Sequence, residues 1–386
     1  MMRTSGTTDR SMKKKVIAAG HICLDITPVF PDRQVSGIED VIKPGKLVEV
    51  GAADVHTGGS VANTGLAMQF LGADVTLIGK IGRDSFGSMI LNILDQYGTA
   101  YRMISSDTES TSYSIVLAVP GIDRTFIHNP GANDAFGPED VPEEELSDAA
   151  LFHFGYPPQM RRMYEDGGRG LTALMEHVHR AGIVTSLDLA AVDPASQAGQ
   201  QDWAQILQNT LPYVDIFVPS IEELCYMLDH ERYDAWQERA AGRDVTKDLS
   251  IDEDIIPLAE KCLDMGVKIT LLKCGLKGMY CCAAGKDALS GLAGIIGIDP
   301  EKWGGFSHFE GSYKADHVLS ATGAGDASIA AFLTAMLNGE TPEDVMHLAA
   351  GTGASCVEAY DALSGLRDFE TLKAKIAAGW EKNPTD

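Results

Sequence analysis

Short runs of β-branched and apolar residues recur along this chain at positions 16–19, 75–78, 151–154, 183–187, 216–218 and 269–272, with longer stretches between them. Runs of this length read as strands. The stretches 168–181, 202–211 and 254–265 carry apolar residues at three- and four-residue spacing, as amphipathic helices do. Strand and helix alternating in this way is the βαβ rhythm of a mostly parallel sheet, and its crossovers place helices on both faces. The expected fold is therefore α/β.

Two segments break the rhythm. Residues 27–56 are rich in Pro, Gly and Asp, whereas 112–119 and 124–128 read as strands joined by a Pro-Gly-Ile-Asp turn. Together they predict a small β lid over the strand ends, taken from 26–56 and 109–131 and inserted in a core spanning 15–386; burial as ordinary hairpins is the alternative. At 386 residues the chain exceeds the usual single domain, which fits a large core with an appendage. Residues 229–254 are highly charged and read as an exposed helix and loop. Residues 1–11 are small and polar, Met12 offers a second start, and neither enters the fold argument.

Charge excludes several partners. Acidic residues outnumber basic ones 55 to 31, for a formal net charge of -24, so nucleic acid and anionic membrane surfaces are repelled. The 7 cysteines lack CxxC spacing, which argues for reduced thiols and a cytoplasmic protein. Lys13, Lys14 and Lys15 precede an apolar run, but Asp25 interrupts it before a signal-peptide core is reached, and no stretch has the length of a membrane span.

The chemistry-bearing motif lies near the C-terminus. Thr322-Gly323-Ala324-Gly325-Asp326 leads into Ile329, Ala330, Phe332, Leu333, Met336 and Leu337, an apolar helical stripe. A glycine turn opening a helix lets backbone N–H groups approach an anion, and the positive helix end favours phosphate. A carboxylate there is out of place as a phosphate ligand. Asp326 fits better as a general base that takes the proton of a hydroxyl attacking a γ-phosphoryl group, with the turn stabilising the phosphoryl. Taken alone, an N-cap role would explain it equally well.

A second glycine cluster supplies context. Gly58-Gly59-Ser60-Val61-Ala62-Asn63 precedes a helical pattern, and Asn63 can both donate to and accept from a sugar hydroxyl. Asp25 follows the first strand, and in open parallel sheets ligands bind beyond the carboxyl ends of strands. A helix-starting turn with a structural Asn, and a loop-capping Asp, are the alternatives at these two places.

These residues resemble the ribokinase-like sugar kinases, the PfkB carbohydrate kinase family. Residues 58–87, including Gly79-Lys80-Ile81-Gly82-Arg83-Asp84-Ser85-Phe86-Gly87, are similar to that family's N-terminal signature, and 317–332 to its C-terminal one. The resemblance covers nearly the whole chain after Lys15. It implies a ribokinase-like fold and an ATP- and magnesium-dependent kinase, with Asp326 as base and Gly323, Ala324 and Gly325 as anion hole. Asp25, Gly58, Gly59 and Asn63 match sugar-contacting positions, and Pro130-Gly131-Ala132-Asn133 matches a segment beside the lid. The nucleotide pocket maps onto Lys273, Gly275, Lys277 and Gly278 and the helix around Gly353 to Cys356, with Thr322 beside it. Dimerisation through the lid is the family's common assembly.

Departures from the pattern carry their own expectations. Ser220 replaces the Asn of the family's Asn-x-x-Glu, which organises magnesium and phosphate, while Glu223 is retained as the metal-side carboxylate. Lys273 stands where many members have a small hydroxyl residue, and its ammonium could neutralise phosphate. Ser320 replaces the carboxylate of potassium-activated members and weakens a monovalent-cation site. At 154–157 the acidic ligand of ribose-specific members is missing; Tyr156 could contact the substrate or pack under the lid. Arg161, Arg162 and His128 are further candidates for an acidic substrate.

The leading expectation is transfer of phosphate to an alcohol of a sugar, sugar acid or nucleoside. A non-catalytic sugar or nucleotide sensor on the same fold is the competing class. A P-loop enzyme is excluded by the missing GxxxxGK[ST], and a Rossmann oxidoreductase by the missing GxGxxG after the first strand.

Overall fold

The computed structural model describes residues 14–31, 37–120 and 124–385. Its strands are β1 (Lys15–Gly20), β2 (Cys23–Pro28), β3 (Ala53–Gly58), β4 (Asp74–Gly82), β5 (Ala100–Ser106), β6 (Tyr113–Leu117), β7 (Thr125–Asn129), β8 (Ala149–Gly155), β9 (Val184–Leu187), β10 (Ile216–Phe217), β11 (Ile269–Lys273), β12 (Gly278–Ala283) and β13 (Ser307–Gly311). The main sheet runs β5-β4-β1-β8-β9-β10-β11-β12-β13. Its strands are parallel from β5 to β11, and β12 and β13 close one edge antiparallel.

Alternate residues of β1 feed two separate cores, as the period of a strand requires. Val16 and Ala18 face the helices Ser60–Phe70, Ala324–Leu337 and Pro342–Cys356. Ile17 and Ala19 face the helices Arg161–Arg180, Trp203–Thr210 and Ile256–Asp264. Helices thus cover both faces, as the alternating pattern predicts. Helix Ala324–Leu337 differs from the single apolar stripe expected of it, because residues all round it, from Asp326 to Met336, are buried. It is enclosed between neighbouring helices, and a fully enclosed helix has no wet face to keep polar. Phe332 at its middle meets Trp303 edge-on, with ring centroids 6.2 Å apart.

The second sheet, β3-β2-β6-β7, forms a small lid. Here β2 pairs antiparallel with β3 and parallel with β6, and β6 turns back antiparallel into β7. The Pro-Gly-Ile-Asp turn expected between β6 and β7 falls partly at 121–123, outside the described residues, as do residues 1–13. The charged stretch 229–254 does form an outlying helix, His230–Ala240, but it is pinned by the buried Trp236, whose indole N–H donates to Asp254 Oδ1 at 3.1 Å.

One asparagine locks the lid's root to the core. Buried Asn133 donates from Nδ2 to Ile22 O at 2.9 Å and accepts at Oδ1 from Ile22 N at 3.1 Å. The side-chain amide therefore replaces a strand partner where β1 hands over to β2, which gives a function to the 130–133 segment. Among the described residues, no helix is long and apolar enough to cross a membrane.

Candidate active site

The carboxyl ends of the parallel strands converge on one cleft, where open α/β sheets place their ligands. Tyr156 follows β8, Asp188 follows β9, Ser220 and Glu223 follow β10, and Lys273 ends β11. All five line a cavity of about 770 Å³, together with Gly275, Gly278, Gly323, Ala324, Gly325 and Asp326. That volume suits a nucleotide-sized ligand.

Gly323 opens the helix in the left-handed region (φ 78), and a Cβ added to it would lie 2.3 Å from that of Ala362. Only glycine fits both restrictions. The turn therefore presents the N-terminus of helix Ala324–Leu337 to the cavity, with Asp326 in its first turn and 4% exposed. Asp326 Oδ2 accepts from Asn63 Nδ2 at 3.0 Å, and Oδ1 from Thr64 Oγ1 at 3.1 Å. Tyr156 OH lies 2.9 Å from Oδ1 and 2.7 Å from Oδ2. Asn63 and Tyr156, both expected on the substrate, thus converge on the carboxylate instead.

Lys273 Nζ sits 2.8 Å from Asp188 Oδ1, and a Cβ built at Gly325 would come within 3.7 Å of the same nitrogen. Desolvation drives the ammonium's pKa down, but Asp188 and Glu223 outweigh it and hold Lys273 above its ordinary value. Burial raises the Asp188 carboxyl, against the pull of Lys273. The Lys273 amine stands beside the glycine turn. Asp188 escaped notice in the sequence, although it directly follows the run 183–187; Asp25, expected just after the first strand, instead lies inside β2, paired with His56 and Ser114 in the small sheet.

Ser220 caps a helix while it lines the cavity. Its hydroxyl accepts from Glu223 N at 3.2 Å, while Glu223 Oε2 accepts from Ser220 N at 2.9 Å, a reciprocal cap on helix Ile221–Leu228. Glu222, Glu223 and Asp244 also line the cavity, although among the described residues no three acidic, histidine or cysteine side chains cluster as a ready metal site, so a magnesium ion would need phosphate and water oxygens for most of its shell.

Three other expected nucleotide residues, Lys277, Thr322 and Cys356, do not line the cavity. Cys356 is buried behind the turn, its Sγ 3.8 Å from Thr322 O. Thr322 accepts at Oγ1 from Arg124 of the lid, so lid and turn are joined directly. Asn383, which no motif singled out, closes the opposite wall; its backbone N donates to Ser312 O at 2.9 Å.

The expected sugar side lies under the lid. Gly59 is left-handed (φ 84), and a Cβ there would lie 2.5 Å from His21 O. Gly58 pairs with Cys23 across the β2–β3 ladder, next to Asp25. Burial raises the Asp25 carboxyl, and Cys23 Sγ, 3.3 Å from its Oδ1, opposes the rise. His21 Nε2 meets His128 Nε2 at 3.4 Å, His128 Nδ1 meets Ser114 Oγ at 3.1 Å, and the buried His21 Nδ1 has no partner. Arg161 and Arg162 are not brought here; they pair with Asp134 and Glu139.

A glycine turn, a buried carboxylate beside it and a lysine at its flank define a phosphotransferase-type site on an α/β sheet. The chain belongs to the pfkB family of carbohydrate kinases, whose model matches residues 14–368. An uncharacterized sugar kinase of Archaeoglobus fulgidus is 22% identical over 304 residues, covering 78% of this chain and 98% of the relative. The ribokinase of Arabidopsis thaliana is 23% identical over 338 residues, 87% of this chain and 76% of its own length. The fold matches the structure of Arabidopsis thaliana ribokinase complexed with ribose and ATP at a TM-score of 0.68 and 20% identity, over 94% of this chain and 98% of that one. Xylella fastidiosa fructokinase with bound ATP also gives 0.68, at 18% identity over 95% and 99% of the two chains.

Proposed function

We propose that this carbohydrate kinase transfers the γ-phosphoryl group of ATP to a hydroxyl of a sugar or related small molecule, with Asp326 as general base. The observation that carries the reading is a single cavity lined by Glu223, Lys273, the Gly323–Gly325 turn and Asp326. A triphosphate lying along it would have Lys273 beside its charge and the helix N-terminus at its γ end. Magnesium bridging the phosphates would be held on the Glu223 side and would neutralise developing charge there. The acceptor would sit under the lid against Asp25, Gly58, Gly59 and Asn63, and its hydroxyl proton would pass to Asp326 as oxygen attacks in line. Two chains pairing through their lids is part of the same reading, checked by light scattering.

The test is ADP release from ATP and magnesium over a panel of sugars, sugar acids and nucleosides. Turnover by the wild-type chain should fall about 100- to 10,000-fold in Asp326→Asn, the range for losing a general base. Unchanged turnover in that variant would remove the base assignment. Tight binding without turnover on every acceptor would favour a sensor.

A further inference from the structure

Asp326 and Tyr156 both line the large cavity, together with the candidate nucleotide-side residues Glu223 and Lys273. Asp25, Gly58, Gly59 and Asn63, the candidate acceptor residues, do not line it. The phenol is placed by strained backbone: Tyr156 is left-handed (φ 68, ψ 42), a conformation that costs a non-glycine residue roughly 1–2 kcal/mol. Such strain persists where the surroundings over-determine it, and it concentrates at functional sites. Pro157 and Pro158 follow directly, and the Tyr156 ring lies 6.1 Å from that of His21.

Tyr156 OH is within hydrogen-bond reach of both oxygens of Asp326, while Asn63 and Thr64 take one further position on each. A general base must touch the hydroxyl it activates. The phenol therefore stands where the acceptor's own hydroxyl has to be. It is a poor acceptor itself, since burial, reinforced by Asp326, raises its pKa well above the ordinary value and keeps it protonated.

A site that activates a sugar hydroxyl can equally activate water. In that side reaction a water oxygen bonds to the γ-phosphorus, the bond from phosphorus to the β,γ-bridging oxygen breaks with its electron pair leaving on ADP, and the water proton passes to Asp326. Inorganic phosphate and ADP are the products. We propose that Tyr156 is a positioning residue that holds the acceptor's place on Asp326 against water until a substrate hydroxyl displaces it. The inference rests on the kinase reading and adds to it the expectation that nucleotide alone is consumed slowly, because without an acceptor the phenol occupies both oxygens of the base.

The full-length protein tests this with magnesium and ATP, in the absence and presence of the best acceptor of the panel, by measuring both ADP and phosphorylated product. Tyr156→Phe removes the hydroxyl and keeps the ring. It should raise acceptor-independent ADP release about tenfold or more relative to acceptor-dependent transfer, and adding Asp326→Asn should return that release to background. Tyr156→Asn, a residue that tolerates left-handed backbone, guards against misfolding of the first variant and should give the same change. A purely structural Tyr156 would lower hydrolysis and transfer together. An unchanged ratio in either variant, with a wild-type circular dichroism spectrum, overturns the inference while leaving the kinase reading intact. Wild-type protein that phosphorylates no acceptor overturns both.

Discussion

The Lys273 ammonium stands 2.8 Å from Asp188 Oδ1, and the two groups come from the ends of β11 and β9, with β10 between them. Both side chains are largely buried, at 14% and 3% exposure, so the pair is not a surface ornament. Removing Lys273 would let burial push the Asp188 carboxyl further up, so it takes a proton instead of standing as a bare charge. Lys273→Met should therefore destabilise the chain by less than the roughly 3–5 kcal/mol of a pair whose remaining member stays charged, and also raise the KM for ATP, because Glu223 and Asp326 would face the phosphates without a counterion. Denaturant melts and ATP titrations of the kinase reaction check the two effects separately. A variant with wild-type KM for ATP would show that Lys273 serves the fold alone.

The His21–His128 contact makes the lid sensitive to acid. Burial and the neighbouring His128 hold His21 well below its ordinary pKa, and burial lowers His128. Both are neutral in the folded protein, whereas the unfolded chain takes up protons below pH about 6.5. The unfolded state then binds more protons, so stability is fully present above that pH and falls as pH drops below it. Of the groups around the pair, the Ser114 hydroxyl and the Tyr156 ring are uncharged, and the Asp25 carboxyl, which Ser114 also meets, is itself raised by burial. Hydrogen exchange in β7, corrected for the intrinsic rate, should accelerate between pH 7.5 and about 5.5, and His128→Gln should flatten the dependence. Equal protection at both pH values would contradict it.

Phe332 tests the enclosed helix behind the Gly323–Gly325 turn. Its ring is fully buried against Trp303, and truncation opens a cavity that the surrounding helices cannot readily fill. Phe332→Ala should cost about 3–5 kcal/mol, read as a lowered denaturation midpoint with an unchanged slope. A cost below about 1 kcal/mol, the level of a surface change, would mean the helix is less tightly held than its burial implies.

The parallel part of the sheet was legible because its strands are apolar and β-branched runs, unbroken at 16–19 and 216–218. The antiparallel edge was not: β13 reads Ser-His-Phe-Glu-Gly, with half its side chains facing polar partners such as His347, and it lacks an apolar run. In the site, Asp326 could be read because a carboxylate beside a glycine turn contradicts simple anion binding. Its contact with Tyr156 could not, since the two residues are 170 positions apart and no local spacing records the meeting. Asp188 was readable in principle by the strand-end rule that found Asp25. Ser220 illustrates the opposite case, where a capping-box pattern was present in Ser-x-x-Glu and its structural use was passed over for a metal-side one.

The lid enters the chain in two pieces, β2 with β3 and β6 with β7, and both precede β8. Every cavity-lining residue, from Tyr156 onward, follows β8. Chain order thus separates what would choose the acceptor from what would hold the donor, with Tyr156 at the seam. For a lineage of such enzymes, this means that recombination at one crossover near residue 156 could exchange the recognised alcohol while inheriting the nucleotide machinery whole, and that the seam residue would have to suit both parents.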